Sequence, residues 1–227
     1  MKVAVIIPAY NEEQAIGNVV NDIPKDIDTK VLVCNNGSTD KTAEVAQKAG
    51  AIVLTENRKG YGFACLKGMA YIEQSLPEID TVVFIDGDYS DYPEEMPKLL
   101  KEIKDGHDIV IGSRSLGQSE KGSMTIPQRF GNSLSGFLIR LIWGVAVTDL
   151  GPFRALKWEK LKALKMQDPT YGWTVEMQIK AIKMKMSYKE VAVDYRQRIG
   201  TSKVSGTVKG AIFAGTKILY TIFKYAF

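Results

Sequence analysis

The stretch Thr81-Val82-Val83-Phe84-Ile85-Asp86-Gly87-Asp88-Tyr89-Ser90-Asp91 joins an apolar, β-branched run to a cluster of carboxylates. Such a run is what a strand covered on both faces looks like, and parallel α/β sheets are built from strands of this kind. Its C-terminal end then lies at the rim of the sheet, where open α/β folds bind ligands. Asp86 and Asp88 can reach one divalent cation there if the chain leaves strand regularity at Gly87, where no side chain clashes. An ordinary strand-to-loop turn is also rich in Asp and Gly, so the rest of the chain decides between the two readings.

Strand signals fall near residues 2–7, 30–34, 51–54, 80–85 and 108–112, with helix signals near 11–23, 39–49, 62–75 and 93–105. This βαβα alternation predicts an α/β fold with a mostly parallel, doubly wound sheet. Asn11 and Ser38 are N-cap candidates, Gly50 a C-cap, and Pro93 opens the helix after the Asp pair. Strands 1, 2 and 4 end in Pro8-Ala9-Tyr10-Asn11-Glu12, Asn35-Asn36-Gly37-Ser38-Thr39-Asp40 and Asp86-Gly87-Asp88, so three polar clusters converge on one sheet edge. Beyond residue 113 the rhythm breaks into a polar loop to Thr125, an apolar helix from about Pro127 to Trp143, a helix near 172–185 and a strand at 188–195.

The chain has 227 residues, 45% of them hydrophobic and 25% charged, enough for one substantial soluble core. Cys34 and Cys65 give neither a disulfide framework nor metal-ligand spacing, which suits a reducing cytosol. The opening Met1-Lys2-Val3 lacks the apolar core of a signal peptide, and no uncharged run reaches the roughly 18 residues of a membrane span. The net charge of +4 hides an asymmetry: residues 180–227 hold 10 Lys and Arg against only Glu190 and Asp194. A basic patch attracts phosphates of nucleic acid, nucleotide or lipid. In a helix over 206–226, Lys209, Lys217 and Lys224 fall within roughly 80° of one another, opposite Ile212, Ile218, Leu219, Ile222 and Phe223. That pattern predicts an interfacial helix on a membrane surface; packing on the core or on a second subunit is the alternative.

Taken together these segments resemble the family 2 glycosyltransferases of GT-A fold, and more narrowly the polyprenyl-phosphate and dolichyl-phosphate mannose and glucose synthases, from Val3 to about Lys203. The resemblance implies a GT-A, Rossmann-like sheet with flanking helices and a C-terminal amphipathic helical element. It implies a catalytic domain over 1–203, with a nucleotide-sugar half (1–112) and an acceptor half (113–203), followed by the helix of 204–227. Pro8, Tyr10, Asn11 and Glu12, then Asn35, Asn36 and Ser38, and the loop carrying Arg58 and Lys59 resemble the donor-nucleotide elements. Asn35 and Asn36 stand where the family usually has two aspartates, and an amide can still pair with a base edge.

Asp86 and Asp88 match the family's DxD element, which binds Mg²⁺ or Mn²⁺ on the donor diphosphate. Ser90 occupies the place of a glutamine that often adds a ligand, leaving that place to its hydroxyl, a water or Asp91. Arg114, Arg129 and Ser133, with Arg198 and Lys203 of an Arg-x-Gly-x-Ser-Lys element, resemble the group holding the acceptor phosphate; Arg suits phosphate through its planar fork. Thr148-Asp149-Leu-Gly-Pro-Phe153-Arg154 is similar to the family's Asp…Gly-Phe-Arg segment but one residue shorter.

The expected partners are therefore a nucleotide sugar, a polyprenyl phosphate and a membrane surface on the cytoplasmic side, with a homo-oligomer open and nucleic acid not expected. The expected catalytic set is Asp88, Arg114 and Asp149. The only histidine, His107, sits at a strand start remote from the sheet edge and reads as structural. A phosphate acceptor is already an oxyanion near neutral pH, so no strong base is needed. For an alcohol acceptor, Glu176 or Asp149 would be the base. A soluble or polysaccharide acceptor is the alternative reading. Gly60-Tyr61-Gly62 lacks the third glycine and the position after strand 1 that a dinucleotide fingerprint requires.

Overall fold

In the computed structural model, which describes residues 1–200 and 208–226 but not the side chains of 208, 209 and 211, seven strands form one sheet. They are β1 (Val3–Ala9), β2 (Thr29–Asn35), β3 (Ile52–Thr55), β4 (Thr81–Phe84), β5 (Ile109–Ser113), β6 (Arg154–Lys157) and β7 (Tyr188–Ala192). The order is β3-β2-β1-β4-β6-β5-β7. Pairing is parallel throughout except at β6, which runs antiparallel to both β4 and β5. Every residue of β1, β4 and β5 is buried, as expected of strands covered on both faces.

The helices are α1 (Ile16–Asn21), α2 (Thr42–Lys48), α3 (Tyr61–Ser75), α4 (Met96–Lys104), α5 (Ile126–Trp143), α6 (Trp158–Ala163), α7 (Trp173–Lys183) and α8 (Val208–Ala226). One apolar layer holds Ile6, Phe84, Ile109, Leu156, Trp173 and Met177, and the opposite face holds Val5, Ile7, Ile16, Val83, Leu99 and Phe153. A third cluster, with Ile139, Val175, Ile179 and Ile222, binds α5, α7 and α8 together.

Three local readings change. The sequence predicts a helix from residue 11, but α1 starts at Ile16 because Asn11 adopts a left-handed conformation (φ 55°) and its Oδ1 accepts from Thr39 N at 2.8 Å. Neither Asn11 nor Ser38 caps a helix: Ser38 Oγ accepts from Asn11 N at 3.0 Å, joining the two loops, while Asp40 Oδ1 takes the Thr42 amide at the start of α2. Strand β6 had no sequence signal. Its register comes from insertion between β4 and β5, and buried Arg154 satisfies its guanidinium on the carbonyls of Leu150, Gly151 and Thr174.

The C-terminal helix also faces differently from its helical wheel. Lys217 turns to the body and pairs with Asp168 at 2.8 Å, and Ile222 is fully buried. Ile212, Phe213, Tyr220 and Phe223 are exposed instead, and the Lys209 side chain lies outside the described residues.

Candidate active site

The C-terminal edge of β1, β2 and β4 opens into a cavity of about 630 Å³ that continues past β5 to α5 and α8. At its floor, Asp86 Oδ1 accepts from Tyr61 OH at 3.0 Å. Burial, and then the charge of Asp88, pushes Asp86 up to about 7. Asp88 Oδ1 accepts from Ser90 N at 2.9 Å and from the Ser90 hydroxyl, while Oδ2 lies 3.0 Å from Arg198 Nη2. The turn that presents both carboxylates is made by Tyr89 (φ 64°) rather than by Gly87, where a Cβ would meet only ordinary contacts at 3.4 Å. Tyr89 tolerates that backbone because its ring is covered by Arg196, 3.4 Å above it, and its hydroxyl donates to Asp22.

Of the three candidates for the further ligand, neither the Ser90 hydroxyl nor Asp91 is placed to serve, which leaves a water. Ser90 is spent on orienting Asp88, and Asp91 lies 1% exposed outside the cavity lining, with neither oxygen hydrogen-bonded. Burial, followed by the charge of Asp86, raises Asp91 well above the usual carboxylate range. Among the described residues, no group of three or more His, Cys, Asp or Glu is placed to hold a metal. Two carboxylates lining the cavity suit a hard cation that takes its remaining oxygen ligands from a diphosphate and water.

Residues that resemble the family's donor elements divide into those that line the cavity and those that shape it. Pro8, Tyr10, Glu12, Asn36 and Lys59 line it. The Lys59 ammonium lies 5.2 Å from the Tyr10 ring centroid. Asn36 spends its amide on the neighbouring loop: Nδ2 donates to the Glu56 and Arg58 carbonyls at 3.1 and 2.7 Å, and Oδ1 accepts from Gly60 N at 2.7 Å. Its amide therefore holds the loop of residues 56–60. Asn35 Oδ1 receives Ser38 N at 3.2 Å. Arg58 points away from the cavity, bidentate on Glu56 and stacked 4.4 Å from Phe63, and its hydrogen bond holds Glu56 down at about 2.

Arg114 leaves the end of β5 and meets Asp149 in a bidentate pair, Nε and Nη2 each 2.7 Å from a carboxylate oxygen. The Arg114 amide adds a third bond to Asp149 at 2.8 Å. Burial works against the guanidinium charge, but Asp149 outweighs it and holds Arg114 firmly protonated. Asp149 is fully buried, so its oxygens serve Arg114 and offer no open edge to a substrate.

Asn132 fixes that loop from α5, donating to Thr148 O at 2.9 Å and accepting from Leu150 N at 2.8 Å. Arg129 and Ser133 are exposed on α5 outside the cavity lining, whereas Gln128, Gly131 and Asn132 line it. The register had a signal in the sequence: positions 128, 132, 135 and 139 share the face on which Ser135 and Ile139 are buried. Lys203 lies outside the described residues.

Glu176 is 1% exposed rather than a surface carboxylate. It accepts from Asp168 N at 2.7 Å and from Tyr225 OH at 2.8 Å and pairs with Lys180, tying α8 to the body. His107 Nδ1 faces Glu102, away from the cavity. Gly60 and Gly62 serve close packing: a Cβ at Gly62 would stand 1.9 Å from Asp168 O.

Residues 4–165 match the model of glycosyl transferase family 2. This chain belongs to that family. The glycosyltransferase is 36% identical over 214 residues to a dolichyl-phosphate hexose transferase of Haloferax volcanii, covering 92% of this chain and 89% of that one. It is 26% identical over 226 residues to an undecaprenyl-phosphate mannosyltransferase of Micrococcus luteus, covering 92% and 90%. Its fold is shared with glucosyl-3-phosphoglycerate synthase of Mycobacterium tuberculosis, solved with Mn²⁺, uridine diphosphate and phosphoglyceric acid, at a TM-score of 0.77 and 21% identity over 99% of this chain and 78% of that one. The GT-A architecture of the glycosyltransferase is thereby shown, with β6 as the antiparallel member of its sheet.

Proposed function

We propose that this glycosyltransferase moves a hexose from a nucleotide sugar of the GDP-mannose or UDP-glucose type to a polyprenyl or dolichyl phosphate, inverting the anomeric carbon. One observation carries the reading: a single cavity is lined by Asp86 and Asp88, by Arg114 and Arg198, and by the apolar Met124, Leu150 and Ile218. A diphosphate, a phosphate and a hydrocarbon chain require those three environments. The names of the two relatives support the same acceptor class.

In the proposed reaction an acceptor phosphate oxygen attacks the anomeric carbon as the bond to the nucleoside diphosphate breaks, the electron pair leaving with the diphosphate. No proton needs removal, because the second pKa of a phosphate monoester is about 6. Residues 1–112 hold the donor: Tyr10, Glu12 and Lys59 face it, and Asn36 sets the loop around it. Asp86 and Asp88 would hold Mg²⁺ or Mn²⁺, which when bound neutralises charge on the departing diphosphate. From residues 113–203, Arg114 holds the incoming phosphate in line, and Asp149 acts through Arg114 by fixing its fork.

The acceptor reaches this site from a membrane surface. Ile126, Phe130, Phe137 and Leu141 of α5 are exposed, as are Ile212, Phe213, Tyr220 and Phe223 of the adjoining α8. Exposed Arg129, Arg140 and Lys224 accompany them, and such a face suits the boundary between headgroups and acyl chains. Among the described residues no helix is long and apolar enough to cross a membrane. The exposed apolar and basic face is the attachment surface in this reading, on the cytoplasmic side.

The test supplies radiolabelled nucleotide sugars with Mn²⁺ and polyprenyl phosphate. Label in the organic phase is expected. Label confined to a water-soluble product refutes the lipid acceptor and assigns the enzyme a soluble one.

A further inference from the structure

The two cavity arginines are held in opposite ways. Arg114 is locked by three bonds to fully buried Asp149. Arg198 instead rests by one nitrogen, Nη2, against carboxylates that themselves face the donor: Asp88 Oδ2 at 3.0 Å and Glu12 Oε1 at 3.2 Å. Its Nε is buried without an acceptor.

The backbone beneath Arg198 is fixed. Ile199 N donates to Asp88 O at 3.0 Å, and Arg196 N to Ser90 O at 2.9 Å. Arg196 is clamped between the rings of Tyr89 and Tyr92, 3.4 and 4.1 Å from their centroids. Among the described residues of this segment, the Arg198 side chain is the one left to change partners.

We infer that Arg198 is the resident cation of the metal-free donor site, and that its displacement by the arriving metal turns its fork to the acceptor phosphate. This rests on the reading of Asp88 as a metal ligand. Asp88 Oδ1 is engaged by Ser90, so Oδ2 is the oxygen left for a cation, and Arg198 already sits on it. A divalent cation on the same oxygen repels the guanidinium at close range. The released fork, with an unpaired donor at Nε, takes the nearest anion in the cavity, and a phosphate monoester matches its geometry. Donor loading thereby prepares the acceptor site, and a tethered cation discourages metal uptake by itself.

The experiment titrates the enzyme with Mn²⁺ alone and reads unbound Mn²⁺ by electron paramagnetic resonance, with no donor or acceptor present. Arg198→Gln is expected to bind Mn²⁺ about tenfold tighter than the wild type, equivalent to about 1.4 kcal/mol. Arg198→Lys, which keeps the charge, is expected to stay within about threefold of the wild type. In steady-state transfer, Arg198→Gln should also raise KM for polyprenyl phosphate more than KM for the nucleotide sugar. A merely structural arginine would loosen the site on removal, so tighter binding is the discriminating sign. Unchanged or weaker Mn²⁺ binding by Arg198→Gln, with binding lost in Asp88→Asn, overturns the inference alone. Binding retained in Asp88→Asn removes the metal-site reading beneath it.

Discussion

Replacing Asp86 by Asn should stabilise the metal-free enzyme while abolishing metal-dependent transfer. The carboxyl stands at about 7 in the folded protein against an ordinary 3.8, chiefly through burial and then through Asp88. An acid whose folded pKa is raised favours folding when protonated, fully so below 3.8, and that advantage disappears as pH rises toward 7. At about 1.4 kcal/mol per pH unit the span is worth about 4 kcal/mol at face value. Coupling to Asp88 and the opening of the cavity to solvent reduce this to roughly 1–2 kcal/mol. Asn is the neutral isostere and still accepts from Tyr61 OH. In a chain of this size each kcal/mol moves Tm by about 2–4 °C, so Asp86→Asn should melt several degrees above the wild type at pH 8 and level with it near pH 4. Calorimetry in chelator-treated buffer at both pH values measures this. An Asp86→Asn protein that melts at or below the wild type at pH 8 refutes the argument that the bare carboxylate is strained.

Asn36→Ala removes three bonds to the loop of residues 56–60 and should raise KM for the nucleotide sugar about tenfold with a smaller change in kcat, read by steady-state kinetics. Asp149→Asn leaves the buried Arg114 charge without its counter-ion and should cost about 3 kcal/mol in denaturant unfolding, with kcat falling alongside. Phe130→Ser combined with Phe137→Ser should leave Tm within about 2 °C, both side chains being exposed, yet weaken co-sedimentation with anionic vesicles several-fold. A drop in mass by ultracentrifugation without loss of vesicle binding would assign that face to a second copy of the chain.

Strands β1 to β5 were legible because each is a short apolar run bounded by turn residues, and their polar C-terminal ends marked the site edge before any contact was known. Strand β6 was not, because Arg154-Ala155-Leu156-Lys157 has no periodicity and its antiparallel place depends on two partners distant in sequence. Asp86 and Asp88 could be named from residue type and order, Arg114 and Arg198 from the family resemblance, and the cavity brings the four together. Arg129 and Ser133, named from the family resemblance, stand exposed on a helix whose buried stripe runs one position away. Lys217 errs in the same direction, since a helical wheel sets angles between side chains but not which side meets the protein. Asp149 and Glu176 looked alike as spare carboxylates, and only their partners separate an arginine clamp from a helix tether.

Asp168 shows how these separate pieces are joined. Its carbonyl oxygen packs where Gly62 has no side chain, so the start of α3 and the donor loop are set against it. Its Oδ1 accepts from Thr170 N at 2.8 Å and Gly172 N at 3.2 Å, fixing the entry to α7. Its Oδ2 holds Lys217 of α8 at 2.8 Å, and its amide donates to Glu176, which also receives Tyr225. A single turn therefore bonds to the helix of the proposed membrane face on one side and abuts the glycines of the donor loop on the other. Packed elements of this kind shift as units rather than bend. The basic residue that a sequence reading gives to the lipid surface is thus turned to the protein, where its pair with Asp168 ties α8 to this turn.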